Sequence, residues 1–366
     1  MNTNIIELIN NSQPVAWLPW AVQYFFLIGI SVACFFLTVP AFVFGRTDWE
    51  KISRIALIGA LSMGVAAPIA LLADLHQPGR FMNFYLHFMP GSWMSWGSFF
   101  IPIYLIALFA YAWTIYRPAL AELGEGDRAL APIYRLVAMG GDRTPGLTRL
   151  IGLAAIVAAI LVFTYTGAEV AVVRARPLWN TPLLPLQFIA TGFVGALGLI
   201  LLLNRTVGDS DMVVETKTNR MLAIFLAIAM IIGFVWFALG IFGISSVIAT
   251  ALSSVSGSAA WRETVVWAIA ATAIPFLIAV IRPQGSGWVT GLIALHVAWI
   301  FRWAVFIGGQ GVPKTGAGLY SFALPNGPEG LLGIIGTAGL WFFLIIVITS
   351  FVPWRKDDSG TPSANA

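Results

Sequence analysis

The sequence predicts an all-α integral membrane protein of about nine transmembrane helices. Three observations carry that expectation. Of the 366 residues, 59% are hydrophobic and 10% are charged, whereas a soluble globular domain has roughly 45–50% apolar and about 25% charged residues. Nine apolar runs reach the length of about 20 residues that a helix needs to cross the hydrocarbon core. The 20 basic and 16 acidic residues fall almost entirely between those runs. A soluble domain is excluded.

In chain order the runs cover residues 15–44, 55–73, 93–116, 150–173, 183–203, 221–250, 264–281, 288–307 and 331–353. The first lacks a basic n-region and an A-x-A-like cleavage site, so it is expected to stay attached as a helix. Together, residues 1–353 form one transmembrane domain, and 354–366, ending KDDSGTPSANA, read as a polar, disordered cytoplasmic tail. The connection 117–149 mixes Gly, Pro and both charge signs, as a surface loop does. The run 308–330, GGQGVPKTGAGLYSFALPNGPEG, lacks phosphate-loop spacing and reads as an ordered external turn.

Basic residues orient the bundle. Arg46, Lys51, Arg54, Arg117, Arg128, Arg135, Arg143, Arg149, Arg205, Lys217, Arg220, Arg282, Arg355 and Lys356 fall on one side. Arg80, Arg174, Arg176, Arg262 and Lys314 fall on the other. Basic residues collect in cytoplasmic loops, so the N-terminus is expected outside and the C-terminus inside. In a bacterial inner membrane the second, fourth, sixth and eighth loops would then face the periplasm.

Residue counts also exclude chemistry. A single cysteine, Cys34, permits no intrachain disulfide, cysteine-ligated iron–sulfur cluster or Cys-rich zinc site. Of three histidines, His76 and His87 fall in a loop and only His296 in a span, which excludes a transmembrane di-haem cytochrome. The net charge of +4 is spread over many loops without a nucleic-acid motif.

A charge at the centre of a membrane helix costs roughly 2.5–3.5 kcal/mol on insertion scales. The runs hold three ionisable residues, Glu169, His296 and Arg302. Tyr165 precedes Glu169 by four positions, so a phenol and a carboxyl share one face of the fourth helix. The alternative is a structural glutamate bonded to a neighbouring helix. Asp74, His76 and Arg80 gather an acid, a base and a cation at the outer end of the second run, a set able to exchange protons near neutral pH, although charged residues also simply end helices. Arg174 and Arg176 end the fourth helix, and Pro177 blocks its continuation. In the first run Trp17, Trp20, Gln23 and Tyr24 lie near the outer end, and an aromatic belt is the plainer account of some of them. Trp93, Trp96 and His87 read as interface anchors. His296 and Arg302 suit either a proton path or packing.

With these residues assembled, the chain resembles the NrfD-like family, the membrane subunits of polysulfide reductase and related molybdenum-enzyme complexes. The carrying segments are TYTGAEVAVVRARPLWNTP at 164–182, ADLHQPGRFMNFYLHFMPGSWMSWG at 73–97 and RWAVFIGGQGVPK at 302–314. Within the family, WLPWAVQYFF in the first run and the YTGxEVxVVxARPxW pattern look most like tetrathionate-reducing members.

The resemblance implies a cofactor-free subunit that binds a quinol, menaquinol by type, near the outer face and hands its electrons to an iron–sulfur subunit. That subunit feeds a molybdopterin catalytic subunit, with tetrathionate reduction to thiosulfate as the overall reaction. The family's quinone-contacting tyrosine falls on Tyr165. Its polar contact on the first helix, a histidine in polysulfide reductase, falls at Tyr24 with Gln23 adjacent, which is a departure. The implied quinone contacts are Tyr165, Gln23, Tyr24, Glu169, Asp74 and Arg174, within a bundle mainly at 15–203. Glu169, Asp74 and His76 are the candidates for carrying quinol protons, and Arg80, Arg176 and Trp179 for partner docking. Alternatives are a sister complex acting on polysulfide, thiosulfate, sulfite or another anion, and a proton-translocating or transport subunit. Against a transporter, no inverted repeat or broken midplane helix is evident.

Overall fold

The computed structural model describes residues 15–126, 129–140, 145–312, 319–320 and 322–355. Among them, nine helices are long and apolar enough to cross a membrane. They are α1 (Pro19–Phe42), α2 (Glu50–Asp74), α3 (Trp93–Glu125), α4 (Pro145–Ala171), α5 (Leu183–Thr206), α6 (Met212–Ile241), α7 (Ala259–Ile281), α8 (Gly287–Trp303) and α9 (Leu331–Phe351). The protein is an integral, multi-pass membrane protein.

Starts and stops follow local chemistry. Pro19 opens α1, where its missing N–H is one the helix would leave unbonded anyway. Side chains of Ser92, Asp211 and Ser258 accept backbone N–H bonds in the first turns of α3, α6 and α7. Helix α1 is buried on nearly every side, packed against α2, α4, α5 and α8. Helices α6, α7 and α9 instead turn Phe234, Val266, Leu277, Phe343 and Ile346 outward, as lipid-facing helices do.

Successive helices alternate in direction, so the starts of α1, α3, α5, α7 and α9 share one end with the finishes of α2, α4, α6 and α8. We call it the cavity end. Arg80, Arg174, Arg176 and Arg262 lie there, and the described members of the larger basic set lie at the other end.

Three expectations change. The apolar run 221–250 is not one helix: α6 begins at Met212, ends at Ile241, and a separate helix, Ser246–Ser256, follows. Gly243 takes a positive φ of 65° between them, and the Ser245 side chain caps the short helix. The early start is possible because polar residues at the head of α6 are satisfied within the bundle. Buried Glu215 pairs with Arg205 at 2.5 Å and accepts the Gly287 N–H at 2.8 Å, while Asn219 bonds Thr290 and the Pro283 carbonyl. The connection read from residue 117 is shorter: α3 runs on through Arg117 and Pro118 to Glu125, and Ala131–Val137 adds a short helix tied back by Arg135 to the Gly124 carbonyl at 2.7 Å. Beyond α8, a π turn (Ala304–Gly308) and a last turn (Gly309–Gly311) prolong the helix into the expected external turn. Residues 313–318 and 321 of that turn, and the tail from 356, lie outside the described residues; Trp354 is still buried against the bundle.

Candidate functional site

A cavity of about 500 Å³ opens at the cavity end, walled by α1, α2, α3 and α4 and roofed by residues 15–18 and 75–85. Its size falls within the roughly 300–1,000 Å³ of ordinary small-molecule sites. Most of its wall is apolar, with Tyr24, Asp74, His76, Tyr165 and Glu169 among its few polar groups.

In the wall of the cavity the hydroxyls of Tyr24 and Tyr165 lie 3.2 Å apart. Both phenols are buried, as is Glu169, one helical turn beyond Tyr165 on the same face of α4. Among the described residues Glu169 has no ion-pair partner. Asp74 lines the cavity from the last turn of α2, and His76 lines its mouth.

Backbone and side-chain ties fix this arrangement. The Tyr165 ring occupies the space beside Gly97 of α3 in which a side chain would stand: a Cβ built on Gly97 falls onto the ring. The roof is pinned twice. An Asp74 carboxylate oxygen accepts the Leu18 N–H at 3.1 Å, and Gln310 Oε1 accepts the N–H groups of Ala16 and Trp17 at 2.9 and 3.0 Å. Gln310 also donates to the carbonyls of Trp17 and Phe306 at 2.8 and 2.9 Å. The Trp17 ring then stacks near-parallel on both Phe25 and Phe306.

Six residues singled out in the sequence thus meet at one cavity: Trp17, Tyr24, Asp74, His76, Tyr165 and Glu169. Others do not. Gln23 is turned away, donating to Thr337 at 2.6 Å and the Ile334 carbonyl at 3.2 Å and accepting from Trp299 at 2.6 Å. Arg174 and Arg80 are exposed and outside the cavity lining. Arg176 is half-buried, clamping the carbonyls of Gly309, Gln310 and Val312 at 3.0–3.4 Å, and burial lowers its guanidinium below the usual arginine range. Trp179 is buried, its indole N–H donating to the Val305 carbonyl at 2.6 Å. His296 accepts the Trp267 indole N–H at 2.9 Å. Arg302 is fully buried, bonded to the Thr191 hydroxyl and to the carbonyls of Phe188 and Ala298.

Sequence reasoning missed Gly97 and Gln310. A glycine inside an apolar helix signals close approach, but its partner was invisible. Gln310 lies within a Gly- and Pro-rich turn whose residues alone read as structural.

A family model described as "Polysulphide reductase, NrfD" matches residues 7–314. The chain belongs to this family. The match spans every residue that lines the cavity. Over 94% of both sequences it is 31% identical to a tetrathionate reductase subunit of Salmonella typhimurium. It is 25% identical to a selenate reductase subunit of Mesobacillus selenatarsenatis, over 62% of this protein and 57% of that one. It is 28% identical to a polysulfide reductase chain of Wolinella succinogenes, over 50% and 56%.

Chemically, the cavity joins a long apolar wall to two phenols that both donate and accept hydrogen bonds and to carboxyls that exchange protons. That combination suits a ring with oxygen substituents on an apolar tail better than it suits a free anion, which would face Glu169 with no cation beside it.

Proposed function

We propose that this chain oxidises a quinol, menaquinol by type, in the cavity and serves as the membrane subunit of a molybdopterin oxidoreductase complex that reduces tetrathionate. The observation that carries the proposal is the meeting of Tyr24, Tyr165 and Glu169 in the wall of one largely apolar cavity. Support comes also from similarity over nearly the full length to a tetrathionate reductase subunit.

In this account Tyr165, braced by Tyr24, holds a ring oxygen of the quinol. Glu169 takes the two protons in turn, and Asp74 and His76 pass each to water at the mouth. Quinol loses two electrons and two protons. The electrons leave to an iron–sulfur partner docked at the cavity end, since one cysteine ligates no cluster here. Tetrathionate on the molybdopterin partner takes both and yields two thiosulfates. The cavity end faces the periplasm of a bacterial inner membrane, following the basic-residue asymmetry. Among the described residues Arg80, Arg174 and Arg262 are exposed there, and they are basic groups open to a partner.

The test is menaquinol-driven reduction by membranes carrying the whole complex. Tetrathionate consumed with two thiosulfates per quinol supports the assignment. Quinol oxidation coupled to polysulfide or selenate but not tetrathionate moves the protein to a sister complex, and no quinol oxidation with any acceptor removes the proposal.

A further inference from the structure

The four helices α5 to α8 repeat the directions of α1 to α4, pack on one another, and form a second cavity at the same end of the bundle. It measures about 200 Å³. Gln187 near the start of α5, Trp236 toward the finish of α6, Trp261 at the start of α7 and Phe301 near the finish of α8 line it. Tyr24, Leu72, Met94 and Tyr165 hold comparable places on α1 to α4 in the first cavity. Trp17 lines the first cavity and Trp179 the second, with ring centroids 5.7 Å apart.

Local chemistry builds this second wall. The π turn beyond α8 presents the Val305 carbonyl to the Trp179 indole N–H at 2.6 Å. Gly308 in that turn lies against Trp261: a Cβ placed on it would stand 3.1 Å from two atoms of the ring. Gln187 donates from its amide nitrogen to the Ala229 carbonyl of α6 at 3.3 Å, which fixes the way the amide faces, since the reverse would set two acceptors together. Its other atom is left over. Gln187 Oε1 is buried and has no hydrogen-bond partner among the described residues, and a buried acceptor left unpaired costs free energy. None of the side chains lining this cavity titrates.

We propose that the second cavity binds an aromatic alcohol, its ring among the tryptophans and its hydroxyl donating to Gln187 Oε1, and that it holds this ligand without oxidising it. Trp179, Trp236, Trp261 and Phe301 offer ring faces to such a body. A bare hydrocarbon would leave the acceptor stranded, and a free anion would meet no cation. The first cavity has Glu169, Asp74 and His76 to take protons; the second has no group that can, so it stores and does not react. The membrane's own aromatic alcohol is a quinol, and that identity rests on the function proposed above, whereas the site does not. The oxidised quinone carries no hydroxyl to donate.

The experiment uses the full-length protein in lipid nanodiscs with two photoreactive probes, a naphthol and its methyl ether. The naphthol should bind about 3- to 10-fold tighter than the ether and label peptides around Trp179 and Trp236. Gln187→Leu should bring the two probes within about twofold of each other, a ratio that does not depend on how much of the variant folds. Gly233 lines the cavity, a Cβ built on it meets nothing within 4 Å, and leucine suits a helix better than glycine. Gly233→Leu should therefore remove this labelling at an undiminished melting temperature, with quinol-driven turnover of the assembled complex retained. Menadiol, kept reduced, should displace the naphthol from these peptides, and menadione should not. No labelling around Trp179 and Trp236, labelling unchanged in both variants, or an ether that binds as well as the naphthol overturns the site. Labelling that menadiol does not displace overturns quinol as its occupant. If the complex oxidises no quinol while the naphthol still labels this cavity, the functional reading fails and the site stands.

Discussion

The Tyr165 ring packs directly on the backbone of Gly97, two helices meeting where only a hydrogen leaves room. This contact sets where the phenol stands and brings its hydroxyl to Tyr24. Gly97→Ala should push the ring out of place. Overpacking of a filled site costs about 1–3 kcal/mol, so the variant should unfold at lower temperature and lose quinol-driven rate. An unchanged melting temperature and rate would show that the ring has freedom the packing denies.

Gln23 separates a structural role from a binding one. Its amide joins α1 to α8 and α9 through Trp299, Thr337 and the Ile334 carbonyl. Gln23→Ala leaves the Trp299 indole without its acceptor, at about 1–3 kcal/mol for a stranded buried group. Thermal stability should fall, and KM for quinol should hold. A raised KM with unchanged stability would return Gln23 to the ligand.

The fold was legible because its signals are local. Runs of apolar residues give nine helices, and the i, i+4 spacing of Tyr165 and Glu169 gives their shared face. Burial of polar helix heads was not legible. The start of α6 passes through Glu215, Lys217 and Arg220, and nothing in the order of residues says that Arg205 and the Gly287 N–H wait for Glu215. The site divides the same way. Asp74, His76, Tyr24, Tyr165 and Glu169 stood out as polar groups near apolar helix ends, whereas the partners of Gln23, Arg176 and Trp179 are backbone carbonyls and distant side chains that no sequence pattern announces.

The Arg205–Glu215 pair gives a stability prediction at the opposite end of the bundle. Glu215 is fully buried and Arg205 half-buried, its side chain 18% exposed. Arg205→Met would leave a buried carboxylate without its cation, a loss of about 3–5 kcal/mol. The double variant Arg205→Met/Glu215→Gln should recover part of it in thermal unfolding. A double variant no more stable than the single one would show that the charge pair is not what holds this corner.

Orientation follows from the basic residues alone and is open to direct measurement. A reporter active only in the periplasm, fused within the connection at Asn180, should be active. The same reporter fused after Arg355 should be silent. The reverse pattern would put the cavity end, and any partner docked there, in the cytoplasm.

The central claim is that Tyr165 and Glu169 act on quinol, and comparing two electron donors in the assembled complex tests it most directly. Tyr165→Phe removes one hydrogen bond to the ligand and keeps the ring against Gly97, which should lower quinol-driven kcat/KM by about 0.5–1.5 kcal/mol, roughly 2- to 13-fold. Glu169→Gln keeps the volume and removes the titrating proton, so it should slow quinol oxidation while quinone still binds. A reduced dye that feeds the partner subunits directly should drive both variants at the unmodified rate. If quinol-driven rates are unchanged in both variants, or if the dye-driven rates fall equally, the two residues are structural and the account is contradicted.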